Sequence, residues 1–317
     1  YYKYTSSLIY DIPIPGSLYA FGAQVENAME ISNEGLELEL QADILRESAV
    51  SWRMKFNMAR NWNRFEKSYS GKDVVDGDGT LLVVGRPLNG LYVWAHRGYY
   101  NSDAEVPRLY KIDGQEIYFN GVATNGISGA VGDYRLLDLD GDGNPDSYYA
   151  GSPLPLAHGG WVNELMWKNF DLNVLVNFTI GRKMINNRMG LGFSRQSEDG
   201  HLTKLFDYRK LRPWDGVNKK PNAPAWGNSL SMNTDSAIEK VHHLALKQIT
   251  LGYNLPDRIS KKAGLSGVRF FLTAENLFYL SNYSGGNPEV VNIYTGRDNG
   301  DTYPLPRKYT LGLTLNF

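Results

Sequence analysis

Apolar and polar residues alternate with period two over several long stretches of this chain. In Leu36-Glu37-Leu38-Glu39-Leu40-Gln41-Ala42-Asp43-Ile44 the apolar side chains take one face of an extended backbone and Glu, Gln and Asp the other. About four residues later Val50, Trp52, Met54, Phe56 and Met58 alternate with Ser51, Arg53, Lys55 and Asn57, so the two stretches read as a hairpin. A second hairpin turns at Lys168-Asn169 and continues with Phe170, Leu172, Val174, Val176, Phe178 and Ile180 against Asp171, Asn173, Asn177 and Thr179, with Leu175 breaking the polar face. Further strands are predicted near 1–9, 244–253, 268–276 and 309–317. The count comes to about eight, each close to the 9–11 residues of a tilted membrane strand and longer than the 5–6 usual in a soluble sandwich.

The connections sharpen this reading. Short turns at 46–49 and Lys168-Asn169 and a modest one over 255–267 alternate with long segments, roughly 10–35, 63–158, 182–240 and 278–306. Loops of that length are uncommon in compact soluble domains. Short turns at one end and long loops at the other are the habit of outer-membrane barrels, whose short side is periplasmic. The fold class expected is therefore all-β, a transmembrane antiparallel β-barrel with long extracellular loops. A soluble sandwich or propeller with large insertions is the competing fold, because alternation alone suits any half-exposed antiparallel sheet.

Composition changes this picture little. Aromatic residues make up 13% of the 317 residues, mainly 21 Tyr and 7 Trp, which suits interfacial girdles and glycine-rich loops. A formal net charge of -1 offers no field for nucleic acid. The absence of cysteine excludes disulfides, thiolate metal sites and a thiol nucleophile. No apolar run approaches the roughly 20 residues of a transmembrane helix. The opening Tyr1-Tyr2-Lys3-Tyr4 shows no signal peptide, which suggests a mature product or a missing N-terminal part.

Several stretches resemble the last third of SusC/RagA-type TonB-dependent transporters. They are Asn33-Glu34-Gly35-Leu36-Glu37-Leu38, then Ser51-Trp52 onward to Asn63, and Trp167-Lys168-Asn169-Phe170-Asp171-Leu172. Next come Lys247-Gln248-Ile249-Thr250-Leu251-Gly252-Tyr253-Asn254-Leu255-Pro256, Glu275-Asn276-Leu277-Phe278, Ser284-Gly285-Gly286-Asn287-Pro288-Glu289 and the ending from Pro304 to Phe317. The chain departs from the family's usual residues at Ala245, Glu275 and Asn287. The resemblance implies a barrel of roughly 22 strands in the cell outer membrane, with an N-terminal plug, TonB coupling and a SusD-like surface lipoprotein as lid. Residues 1–317 would be its C-terminal part, the plug, the N-terminal strands and the TonB-contacting segment being absent. About eight strands cannot close such a wall, and open edges are not viable in lipid.

Candidate chemistry is sparse. Asp138, Asp140, Asp142, Asn144 and Asp146 fall at calcium-loop spacing with Gly143 at the turn, but Tyr149 stands where a bidentate Glu belongs. A bound Ca²⁺ is one reading and a solvated Asp/Gly turn the other. Asp76-Gly77-Asp78-Gly79 reads as a turn. His242 and His243 are adjacent, so on a strand they face opposite ways and cannot share a metal. No hydrolase, zincin or P-loop pattern occurs, and the chain reads as no enzyme. The loop aromatics Trp94, Tyr99, Tyr100, Trp214, Trp226, Tyr283 and Tyr294 are the candidate contacts for a sugar or peptide, with loop packing as the plainer role. Tyr309, Leu311, Leu313, Leu315 and Phe317 form an apolar period-two row, similar to a barrel-assembly signal. The resemblance implies TonB-dependent import of oligosaccharides or peptides. A passive porin and a secreted Ca²⁺-dependent glycan-binding module are the alternatives.

Overall fold

In the computed structural model the described residues are 1–13, 23–46, 49–75, 81–106, 108–110, 116–118, 131–137, 139, 146–187, 212–217, 220–225, 234–300 and 302–317. Eight long strands form one curved wall: β1 (Tyr2–Pro13), β2 (Ala23–Leu45), β3 (Val50–Lys67), β4 (Ala157–Trp167), β5 (Phe170–Asn186), β6 (Ile238–Asn254), β7 (Gly267–Ser281) and β8 (Lys308–Asn316). Each pairs antiparallel with the next, so spatial order equals chain order, and β1 and β8 lie at the two edges. Among the described residues no helix is long and apolar enough to cross a membrane. The long elements are strands.

Register carries the alternation across the whole wall. Leu45, Trp52, Leu165, Leu172, Leu251, Leu272 and Leu311 fall in one cross-strand row. A second row holds Leu40, Phe56, Trp161, Val176, Leu246 and Phe278. These side chains are turned away from the protein: Leu40 is 53% exposed, Leu272 48% and Leu311 81%. A contiguous apolar face on this scale belongs against lipid rather than water. The opposite face carries Asp43, Arg53, Glu164, Asn173, Thr250, Thr273 and Thr310 in a single row. Apolar side chains outside and polar ones inside are the arrangement of a transmembrane barrel wall.

The limits of the apolar band are visible too. At the short-turn end Trp167, Phe170, Tyr253 and Phe270 stand side by side in one row, with Trp167 stacked on Phe170 at 6.1 Å and Phe170 4.7 Å from Tyr253. Aromatic residues gather in this way at a membrane–water interface. From Val50 in that row to Trp62 the strand climbs roughly 30 Å at about 3.3 Å per residue and a tilt near 40°, close to the height of an apolar band. Lys168 takes a left-handed conformation (φ 52) to close the two-residue turn expected at that point. The turn at 255–267 is filled by a short helix, Asp257–Ser260, and a 3₁₀ turn that ends on Gly264 at φ 72.

Beyond the band the expectation drawn from alternation fails in one respect. The long loop expected over 10–35 is largely strand: β1 runs to Pro13 and β2 starts at Ala23, paired as Tyr10↔Glu26 and Pro13↔Ala23. The cause is a change of packing. Above the membrane Met29 and Phe65 turn inward and pack with Val74 and Leu82, joined by Leu8, Tyr10, Ile31 and Leu88, so the apolar side of the wall switches from outside to inside. A register shift between Glu30 and Ile31 marks the change. On β5 the extra residue comes at Gly181 (φ 73), above which Ile185 joins Leu91, Val93 and Ala150, and Met184 joins Val241, Tyr283 and Val291.

Candidate functional site

The inner face of the wall is held by paired charges. Asp43 accepts from Arg46 and Arg53, Lys55 reaches Glu164 at 2.9 Å, Arg269 grips Asp171 at 2.5 Å, and Lys308 faces Glu275 at 3.5 Å. Register sets Asp43 opposite Arg53 and brings Lys55 to Glu164 and Lys308 to Glu275 across neighbouring strands, Arg269 reaches Asp171 over Gly252 of the intervening β6, and Arg46 bonds Asp43 locally. Glycines make room for them. A Cβ on Gly252 would strike the Asp171 carboxylate at 2.4 Å, and one on Gly312 would strike the Phe271 ring at 2.0 Å. The repeated Thr-Leu-Gly stretches at 250–252 and 310–312 therefore place a bare backbone where a neighbouring strand's side chain crosses. The resulting surface is charged, locally neutral and without an apolar core, which suits a hydrated passage.

At the long-loop end two loops lock together. Leu91–Trp94 pairs with Ser147–Gly151, and His96–Tyr99 with Tyr134–Leu136. Asp235, from the loop before β6, contacts His96 Nδ1 and accepts from the Tyr148 hydroxyl at 3.1 Å, while Ser236 donates to the Tyr134 hydroxyl at 3.0 Å. Tyr99 stacks on Tyr134 at 5.3 Å, and Tyr134 meets His96 edge-on at 4.9 Å. Burial pushes the Tyr99 and Tyr134 phenols above the ordinary tyrosine range and Tyr92 up to about 12, so all three stay neutral. Nothing in the sequence pointed to His96 or Asp235, which stand 139 positions apart and lack a motif.

The seven loop aromatics divide by environment. Tyr99, Tyr100 and Tyr283 are buried, so packing rather than a ligand occupies their rings; Tyr283 donates to Asp298 at 2.7 Å. Trp94 is half-buried and paired opposite Ser147, and the Trp214 indole donates to Asn101 at 3.2 Å. Tyr294 is open, at 72% exposure. Trp226 lies outside the described residues. Of the acidic loop, Asp138, Asp140, Asp142 and Asn144 also lie outside them, as does the turn at 76–79. Asp146 is described: its carboxylate accepts from the Leu139 amide at 2.5 Å and its own amide donates to the Leu137 carbonyl. Among the described residues no group of three or more His, Asp or Glu side chains could hold a metal ion.

The last long loop folds against the inside of the wall. The buried Arg182 guanidinium donates to the carbonyls of Pro288, Val291 and Asn292, and Lys247 pairs with Glu289 at 3.2 Å. A polar cavity of about 220 Å³ remains between Lys247, Asn276, Asn287 and Arg307. Asn276 sits at a register shift in the left-handed region (φ 52) and donates to the Pro306 carbonyl. On β8 Tyr309, Leu311, Leu313 and Leu315 share the outer face, all more than 40% exposed, and Phe317 is 93% exposed.

A wall of consecutive antiparallel strands, apolar outside and charged inside, with short turns at one end and packed loops at the other, defines an outer-membrane β-barrel. No protein-family model matches the chain. Among curated proteins it is 28% identical over its whole length to TonB-dependent receptor P26 and 25% identical over 99% of it to TonB-dependent receptor P3, both of Formosa agariphila. It is 26% identical over its whole length to the TonB-dependent receptor SusC of Bacteroides thetaiotaomicron. The matches cover 32, 31 and 29% of those proteins, so the chain spans about a third of their length. Among solved structures the RagAB peptide transporter superposes on the whole chain with a TM-score of 0.73 at 22% identity, covering 32% of that chain. The closed-closed state of the RagAB peptide importer gives 0.71 at 20% identity, covering 33%. The chain is thus similar over its whole length to a third of these TonB-dependent receptors, and it shares its fold with the matching part of the RagAB transporter.

Proposed function

We propose that this chain is the C-terminal barrel portion of a TonB-dependent outer-membrane importer of oligosaccharides or peptides that works with a SusD-like surface lipoprotein. The observation that carries the reading is the two-faced wall, apolar toward lipid and lined with paired charges toward the interior, along a chain that aligns from end to end with TonB-dependent receptors. Eight strands leave β1 and β8 as free edges, and an unpaired edge in hydrocarbon costs several kcal/mol for each unsatisfied group. Further strands must therefore complete the barrel. The plug and the TonB-contacting segment belong to that remainder.

The packed loops at the open end offer the lipoprotein a rigid seat, since they are held to each other by buried aromatics and the His96–Asp235 contact. Cargo class follows from relatives alone: one named neighbour is a peptide transporter and the receptors are named without cargo. Deleting the full-length gene should abolish growth on one class of polymer, either a glycan or a protein digest, and loss of TonB should have the same effect. Uptake that survives TonB loss would replace the energised importer with a passive porin.

A further inference from the structure

The outer surface carries one feature that the import reading does not use. Near the long-loop end of the apolar band, Trp161, Phe178, Ile180, Leu244 and Leu280 line a wide, shallow outward-facing groove of about 680 Å³, with His242 and Asn282 at its upper rim. The groove is continuous with the lipid-facing rows, because Trp161 and Val176 are cross-strand partners, as are Phe178 and Leu244. Directly above it on the same face of β6, two residues beyond His242, is Lys240, and its cross-strand partner is Lys183. Like charges placed opposite each other destabilise a sheet unless an anion sits between them. Among the described residues neither lysine has a carboxylate within salt-bridge distance. Lys183 Nζ instead donates to the Ala150 carbonyl, and Lys240 is exposed.

An open apolar depression with a lysine pair just beyond its upper rim, at the height where hydrocarbon gives way to headgroups, has the chemistry of a lipid site. We propose that this groove holds an acyl chain of a phosphate-bearing lipid of the outer leaflet, whose phosphate bridges Lys183 and Lys240. The occupant neutralises the lysine pair and fills a dent in the wall that bulk lipid tails would pack poorly. It joins the barrel to its leaflet as a fixed component.

The test is native mass spectrometry of the full-length protein, extracted from outer membranes in mild detergent, with Lys240→Glu and Leu280→Trp variants beside it. The wild type is expected to retain phosphorylated lipid, and Lys240→Glu to retain about fivefold less, the worth of one surface cation near an anionic headgroup. Leu280→Trp fills the groove and should lower retention as well. Lys262→Glu, in the short turn at the far end, should leave it unchanged. Delipidated protein titrated with phosphatidylglycerol and with diacylglycerol, which has the acyl chains and no phosphate, separates phosphate recognition from apolar filling, because only the first should bind with a Lys240-dependent affinity. Equal retention by wild type and Lys240→Glu, or equal affinity for the two lipids, overturns the proposal. Should Leu280→Trp fail to assemble, the exposed Lys240 substitution alone decides.

Discussion

Val176 and Asn173 lie on the same strand and face different media. Val176 shares the outer row with Phe56 and Trp161, whereas Asn173 stands inside between Glu164 and Thr250. An arginine at Val176 must place its charge in hydrocarbon or drag water to it, at roughly 2–4 kcal/mol; at Asn173 it meets a hydrated, charge-bearing surface. Val176→Arg should therefore lower the urea midpoint and the assembled amount of protein while Asn173→Arg changes little, and equal tolerance at both positions would refute the membrane wall. Gly312 gives a second comparison. Its alanine variant forces the Phe271 ring away, an overpacking cost of roughly 1–3 kcal/mol, and removing the ring with Phe271→Ala should relieve most of the added loss in a double-mutant cycle. At Asn276 the left-handed backbone (φ 52) makes glycine nearly neutral, whereas alanine should cost about 1 kcal/mol in a refolding titration. The φ at Asn276 had no sequence signal beyond its residue type.

Arg182 holds the middle of the last long loop. It is buried and donates to three backbone carbonyls between Pro288 and Asn292, while Gly296 and Asp298 further along accept from the Ile185 and Asn187 amides of β5. Replacing it with methionine keeps the volume and removes the charged donors, whose hydrogen bonds are worth about 1.5–3 kcal/mol each when partners stay buried. Amide exchange at Val290 and Val291 should rise in Arg182→Met while the amides in the middle of β6 stay protected. Unchanged exchange at the loop would mean that Lys247–Glu289 and the Tyr283–Asp298 contact suffice. Alternation gave the membrane-level strand cores and both tight hairpins, because a two-sided environment imposes period two. It missed the upper parts of β1 and β2, where Met29 points inward beside Phe65 of β3 and the rule reverses within a single strand.

For the whole molecule the decisive measurement is partnership. The loop pack built on Val93, Tyr99 and Tyr134 is separate from the lipid-facing rows, so, on the proposed function, shortening the segment 91–150 should leave heat-modifiable migration of the barrel in place while abolishing co-purification of the proposed surface lipoprotein and uptake of the proposed cargo. Co-purification that persists without those loops would move the partner's seat elsewhere. The period-two pattern, the two tight turns and the switch between short and long connections were enough to establish strand count, barrel class and facing of side chains, since each is dictated locally by backbone geometry and by the solvent on either side. The His96–Asp235 contact, the Arg182 anchor, the buried state of Tyr99, Tyr100 and Tyr283, and the Lys183–Lys240 pair over its groove were decided only by tertiary structure. Each brings together residues from separate strands or loops, and the register shift at Gly181 sets which sides Arg182 and Lys183 face. Periodicity within one segment carries no information about that choice.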